Sequence, residues 1–175
     1  AVRLLADLQT GSGGQISAFE LIPRIGLDLV MRHIAGARDP LSKPSPWYVL
    51  VEATGAARFE LDSVVEASLA SASEKGLVGD AVLAKSEKQR AALWSLRENM
   101  SEAQKREGAS IKHDVSVPVS AIPEFLERAT AAVLKAVPGA RPVSFGHIGD
   151  GNIHFNFSSP TGGDGAAFLA RWEEI

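Results

Sequence analysis

The run Phe145-Gly146-His147-Ile148-Gly149-Asp150-Gly151-Asn152-Ile153-His154-Phe155-Asn156-Phe157 holds the residues of this chain best suited to chemistry. Asp150-Gly151 is a strong signal for a two-residue hairpin loop, because a type I′ turn needs positive φ at both central positions. Counting outward from that loop sets Gly149 against Asn152, Ile148 against Ile153 and His147 against His154. Directly opposed residues of an antiparallel pair hold their Cβ atoms roughly 4.5–5.5 Å apart on one face. Two imidazoles placed so can reach one divalent ion. Strand alternation puts Phe145 and Asn156 on that same face and Ile148, Ile153, Phe155 and Phe157 on the other. The plainer alternative is a pair of histidines that cap a sheet; two opposed rings beside an asparagine favour a ligand pair. A catalytic zinc commonly takes three protein ligands and keeps a fourth position open. The sequence names no clear third ligand, and Asp150 at the turn tip is expected to point away.

A second group of residues could meet an acid. Arg97 and Ser101 lie four apart in a run that reads as one helix, Ser86 to Arg106, so they share a face. Lys112 follows on the polar face of the next strand. A guanidinium, a hydroxyl and an ammonium brought together would hold a carboxylate, the arginine as a fork and the lysine as a point charge. The competing reading is a solvated helix face, with Arg97 paired to Glu98 or Glu102 and Lys112 to Asp114. His113 reads as a hydrogen-bonded core residue, His33 as part of an ordinary amphipathic helix, and Trp47, Trp94 and Trp172 as packing residues.

The elements that must position these groups alternate along the chain. Val2 to Leu8 reads as a helix, stopped by Gly11-Ser12-Gly13-Gly14. A strand follows at Ile16–Leu21, then a helix at Ile22–Ile34 with Pro23 in its first turn. Pro40 to Pro46 is a stiff loop. Trp47–Ala53 reads as a strand buried on both faces. Leu61–Lys75 is a helix ended by Gly76, and Ala81–Ala84 a short strand. Ser110–Val117 alternates, with Ile111, His113, Val115 and Val117 on one face and Lys112, Asp114 and Ser116 on the other. Ser120 can N-cap the helix whose apolar positions run from Ile122 to Val137. The hairpin, a turn from Pro160 to Gly165 and a last helix complete the chain. This order predicts an α+β fold, ferredoxin-like and possibly duplicated in the sense of two such units, with a largely antiparallel sheet and helices packed on one face. A doubly wound parallel sheet is the alternative. No glycine-rich phosphate loop follows a strand, so a nucleotide fingerprint is missing.

Bulk properties narrow the class. A chain of 175 residues, 45% hydrophobic and 22% charged, suits one globular domain with a sizeable core. The net charge of −3, without a basic run, argues against a nucleic-acid partner. The absence of cysteine excludes disulfides, thiolate metal sites and cysteine nucleophiles. It also fits a reducing compartment, and the expected location is the cytoplasm, free or peripheral at a membrane. No transmembrane segment or signal peptide is visible. The first residues lie inside an apolar pattern without a methionine, and the last read as a helix cut short. The expectation is a piece excised from a longer protein.

Three segments together resemble one family: Leu93-Trp94-Ser95-Leu96-Arg97-Glu98; Ile111 to Pro118; and the Phe145–His154 hairpin. In order and spacing, over roughly Ser17 to Trp172, they resemble the C-terminal domain of FAD-linked oxidases. That group holds D-lactate dehydrogenases, the glycolate oxidase flavin subunit and D-2-hydroxyglutarate dehydrogenase. The resemblance implies that residues 1–175 are a substrate-capping domain, truncated at both ends, over an FAD held mainly by a separate domain. It implies a divalent metal, usually zinc, on His147 and His154, and a small 2-hydroxy acid bound by Arg97, Ser101, Lys112 and Asn156. The electron acceptor stays unnamed. Ser101 stands where some members have threonine, and His113 where many have an aromatic residue. The family's further glutamate, which completes the metal site, and its histidine base would lie downstream of Ile175, so no catalytic residue is assigned here and the piece alone should be inactive. The other class of reading is a stand-alone binding or regulatory module for a small acid or a metal.

Overall fold

The computed structural model describes residues 1–55 and 61–175. Its element order is α1 (Val2–Gly11), β1 (Ile16–Pro23), α2 (Arg24–His33), β2 (Trp47–Ala53), α3 (Leu61–Glu74), α4 (Glu87–Glu98), α5 (Met100–Glu107), β3 (Ser110–Ile111), β4 (Asp114–Ser116), α6 (Ile122–Ala136), β5 (Arg141–His147), β6 (Asn152–Ser158) and α7 (Gly165–Leu169). The six strands form one sheet in the order β2-β1-β5-β6-β3, with β4 also on β6, and every pairing is antiparallel. The α+β class with a largely antiparallel sheet is therefore what the chain adopts.

Alternation along the strands sorts the core into two clusters. Phe19, Leu21, Ile153, Phe155 and Phe157 pack with Leu4, Leu5 and Leu8 of α1, Ile122 and Val133 of α6 and Phe168 of α7. Ile22, Tyr48, Val143 and Phe145 pack with Leu27, Leu29 and Val30 of α2, Leu96 of α4 and Met100 and Ala103 of α5. Helices thus cover both faces of the sheet, where the sequence led us to expect them on one.

Local departures have local causes. β1 runs on through Pro23, whose register partner is Trp47, so α2 starts at Arg24; a fixed φ serves a strand end as well as a first helical turn. β2 is an edge strand on which only Tyr48 is buried, and Trp47 is 46% exposed. Trp172 is 59% exposed, so neither of these tryptophans is a packing residue. Ala81–Ala84 forms no strand. The expected helix from Ser86 to Arg106 breaks at Asn99, whose side-chain amide donates to the Ser95 carbonyl and hydroxyl oxygens and competes with the backbone. Ser120 lies in a 3-10 turn, and α6 starts without a side-chain cap.

Candidate functional site

The hairpin turns differently from the Asp150-Gly151 prediction. β5 and β6 pair with Arg141 opposite Ser158 and Phe145 opposite His154, which makes Ile148–Gly151 a four-residue loop. Gly151 takes φ +85°, but Asp150 does not take positive φ, so a type I′ turn cannot form. Instead the Asp150 carboxylate accepts from the Asn152 amide. The strand changes partner at Gly146, at φ +152°. Up to Phe145, β5 pairs with β6; from Gly146 it pairs with β1, through Leu21 and Glu20, and the Ile148 amide donates to the Phe19 carbonyl. A side chain at Gly146 would put its Cβ 2.6 Å from the Asn152 carbonyl oxygen.

His147 therefore faces Glu20 across the sheet, and His154 faces Phe145 on one side and Asp114 on the other. The two histidines are not directly opposed, as the sequence reading had them. His154 instead lies opposite Phe145, two residues before His147 on β5. They remain on one face. The His147 Nδ1 lies 3.4 Å from Glu20 Oε1, and the His154 Nδ1 lies 3.6 Å from Asp114 Oδ1. The Phe145 and His154 rings pack with centroids 5.0 Å apart.

Arg97 completes this patch from α4. Its guanidinium stands over Phe145, 4.7 Å from the ring centroid, and its Nε donates to Glu20 Oε2 at 2.5 Å. Neither Glu98 nor Glu102 is the partner. Glu20 is a carboxylate only 7% exposed, flanked in its strand by the buried apolar residues Phe19, Leu21 and Ile22. Sequence reasoning missed it. The signal was there: one acid inside an apolar strand must find a cation, because an unpaired buried charge is costly.

Lys112 and Ser101 form a separate contact. The Lys112 Nζ donates to the Ser101 main-chain carbonyl at 3.3 Å, and the Ser101 side chain is exposed. Burial, and secondly the neighbouring Lys105 charge, hold the Lys112 ammonium below its usual pKa. The helix break at Asn99 separates Arg97 from Ser101, so the contacts tie Arg97 to Glu20 and Lys112 to Ser101 rather than all to one point.

Asn156 is 2% exposed. Its Nδ2 donates to Gln104 Oε1, and Gln104 Nε2 donates to Ser158 Oγ. The Asn156 Oδ1 is buried without a partner among the described residues. β3 and β4 hold one register on β6, which places Lys112 opposite Asn156. His113 is not the satisfied core residue expected, since its Nε2 is buried and unpartnered among the described residues. His33 does more than its helix suggested: its Nε2 lies 2.7 Å from Glu107.

The donor chemistry suits a divalent ion in part. Each imidazole turns Nδ1 toward a carboxylate, the arrangement that leaves Nε2 for a metal. His147 Nε2 lies over Gly149, where a Cβ would sit 2.8 Å away. Among the described residues no group of three or more His, Asp or Glu gathers to complete a metal site. A cavity of about 970 Å3 lies against the opposite face, between Leu21, Ile148 and α6. It is apolar and includes none of the candidate residues.

Comparison with known proteins follows the same direction. The family described as FAD linked oxidases, C-terminal domain, matches residues 1–175. The mitochondrial D-2-hydroxyglutarate dehydrogenase of Arabidopsis thaliana is 36% identical over 159 residues, covering 90% of this chain and 28% of the relative. The D-2-hydroxyglutarate dehydrogenase of Xanthomonas citri is 36% identical over 161 residues, 92% of this chain and 33% of the relative. The mitochondrial enzyme of that name from Bos taurus is 34% identical over 148 residues, 84% and 26% respectively. The chain thus spans a third or less of the length of these curated relatives. Their names overturn the expected cytoplasmic location, since the plant and cattle relatives are mitochondrial and the third is bacterial. Among the described residues no helix is long and apolar enough to cross a membrane.

Proposed function

This chain belongs to the C-terminal domain family of FAD linked oxidases, and from that premise we propose that it is the substrate-holding part of a flavoenzyme that oxidises a D-2-hydroxy acid to the 2-oxo acid. The observation that supports this most is the patch in which Glu20 holds Arg97 and His147 while Phe145 packs between Arg97 and His154. It sets a carboxylate-binding fork beside two imidazoles on one sheet face.

In this reading Arg97 takes one carboxylate of the substrate through its terminal guanidinium nitrogens, since Nε is held by Glu20. Lys112, with Ser101 beside it, supplies a second positive pole. The unpartnered Oδ1 of Asn156 is a free acceptor for a polar group of the substrate. His147 and His154 would hold a divalent ion, zinc by family resemblance, whose chemistry is to polarise the substrate hydroxyl. The flavin, carried by the rest of the protein, supplies the acceptor for the hydride. The third metal ligand and the base also belong to the rest of the protein. The relatives point to D-2-hydroxyglutarate as the substrate to test first.

The test uses full-length protein. Arg97→Ala is expected to lower kcat/KM for D-2-hydroxyglutarate at least about tenfold, because binding and alignment supply much of the barrier reduction. His147→Ala is expected to lose bound metal by elemental analysis. Wild-type kinetics in the first, or an unchanged metal-to-protein ratio in the second, would remove that residue from the site.

A further inference from the structure

Glu20 touches both halves of the proposed site with different oxygens. Its Oε2 accepts from Arg97 Nε, and its Oε1 lies 3.4 Å from His147 Nδ1. It reaches them from β1, whose register sets Glu20 directly opposite His147. The strand is apolar on both sides of it, and Phe19, Leu21 and Ile22 are all buried. A leucine or valine would serve the strand as well. The carboxylate is thus in a place where packing alone does not call for one.

We infer that Glu20 is a positioning residue that aims both Arg97 and His147. This rests on the reading of those two side chains given above. Holding the guanidinium by Nε leaves its two terminal nitrogens, the paired donors suited to a carboxylate, outside the bond to Glu20. A carboxylate at Nδ1 sets the ring orientation and the tautomer, with Nδ1–H donating and Nε2 left unprotonated as the atom able to ligate a metal. One acid therefore couples the anion-binding arm to the metal-binding arm, and the two move together.

The experiment compares Glu20→Gln with Arg97→Ala in the full-length protein. Glutamine keeps the size and removes the charge. The expected result is about a tenfold loss of kcat/KM for D-2-hydroxyglutarate, carried mainly by a raised KM, and a fall in metal-to-protein ratio after dialysis. The melting temperature is expected to fall as well, because Arg97 loses its buried carboxylate partner, so KM and metal content are the deciding readouts. A purely structural Glu20 would move the melting temperature and leave KM and metal content alone. Should Glu20→Gln fail to fold, Glu20→Asp takes its place, since it keeps the charge but withdraws it by one methylene. Wild-type KM and metal content in the folded variant would overturn the inference. If Arg97→Ala is impaired while Glu20→Gln is not, only the positioning role fails. If Arg97→Ala is also unimpaired, the reading of the site itself has failed.

Discussion

On one face of the sheet Phe19, Ile153 and Phe157 are fully buried among aliphatic and aromatic side chains, while on the other Val143 and Phe145 share the interior with Glu20, Gln104 and Asn156. Apolar burial is non-directional, so the first face needs volume and little else. The second needs particular partners at particular distances, because each buried polar atom left alone costs free energy. Substitutions on the first face should therefore appear in stability alone, and substitutions on the second in stability together with whatever binding the lost partner served.

The largest stability effect is expected from Phe157→Ala on the first face. It should cost about 3–5 kcal/mol in a denaturant titration, with KM unchanged in the full-length protein under native conditions. A cost below about 1 kcal/mol would break the contrast.

Next comes the electrostatic clamp at the far end of the second face. Glu107 accepts from Arg141, Arg32 and His33, which ties α5 to β5 and α2. These bonds, Arg141 first, lower its pKa from 4.5 to about 2. A depressed carboxylate contributes its full stability above pH 4.5, and that contribution is lost as pH falls toward 2. The stake is on the order of 3 kcal/mol. Denaturation midpoints measured between pH 5 and 2.5 should fall in wild type and fall much less in Glu107→Gln. Parallel slopes would sharpen the comparison against us, by showing that the clamp contributes little.

Gly149→Ala should have the smallest effect on stability, within about 0.5 kcal/mol. Its φ is not in the left-handed region, and the atom in the way is the end of a movable side chain, His147 Nε2. That displacement should lower metal retention in the full-length protein. Unchanged metal content would separate the ring position of His147 from its role.

The sequence was most legible where periodicity is strong. α1, α6 and the strands of the hairpin lie where alternation and helical spacing put them, β2 keeps the bounds read from its apolar run but not the two-faced burial, and the faces of Lys112, Asp114 and Ser116 were right. What failed turned on long-range partners. The pairing of His147 with His154 followed from local turn preference, but β5 changes partner at Gly146 to join β1, a choice made by residues more than a hundred positions away. Arg97 was weighed against Glu98 and Glu102, its helical neighbours, and its acid came from β1. Helix continuity through Asn99 was favoured by composition and undone by one side-chain amide. Residue types were readable throughout; which of them meet was settled by the sheet.

β6 is flanked along its length by β5 on one edge and by β3 and β4 on the other. Its amide protons can exchange with solvent only when the sheet opens on a side, in contrast to those of β2 at the rim, which fray by local fluctuation. His154 and Asn156 ride on this slow-opening backbone, so their Cα positions persist as long as the sheet does.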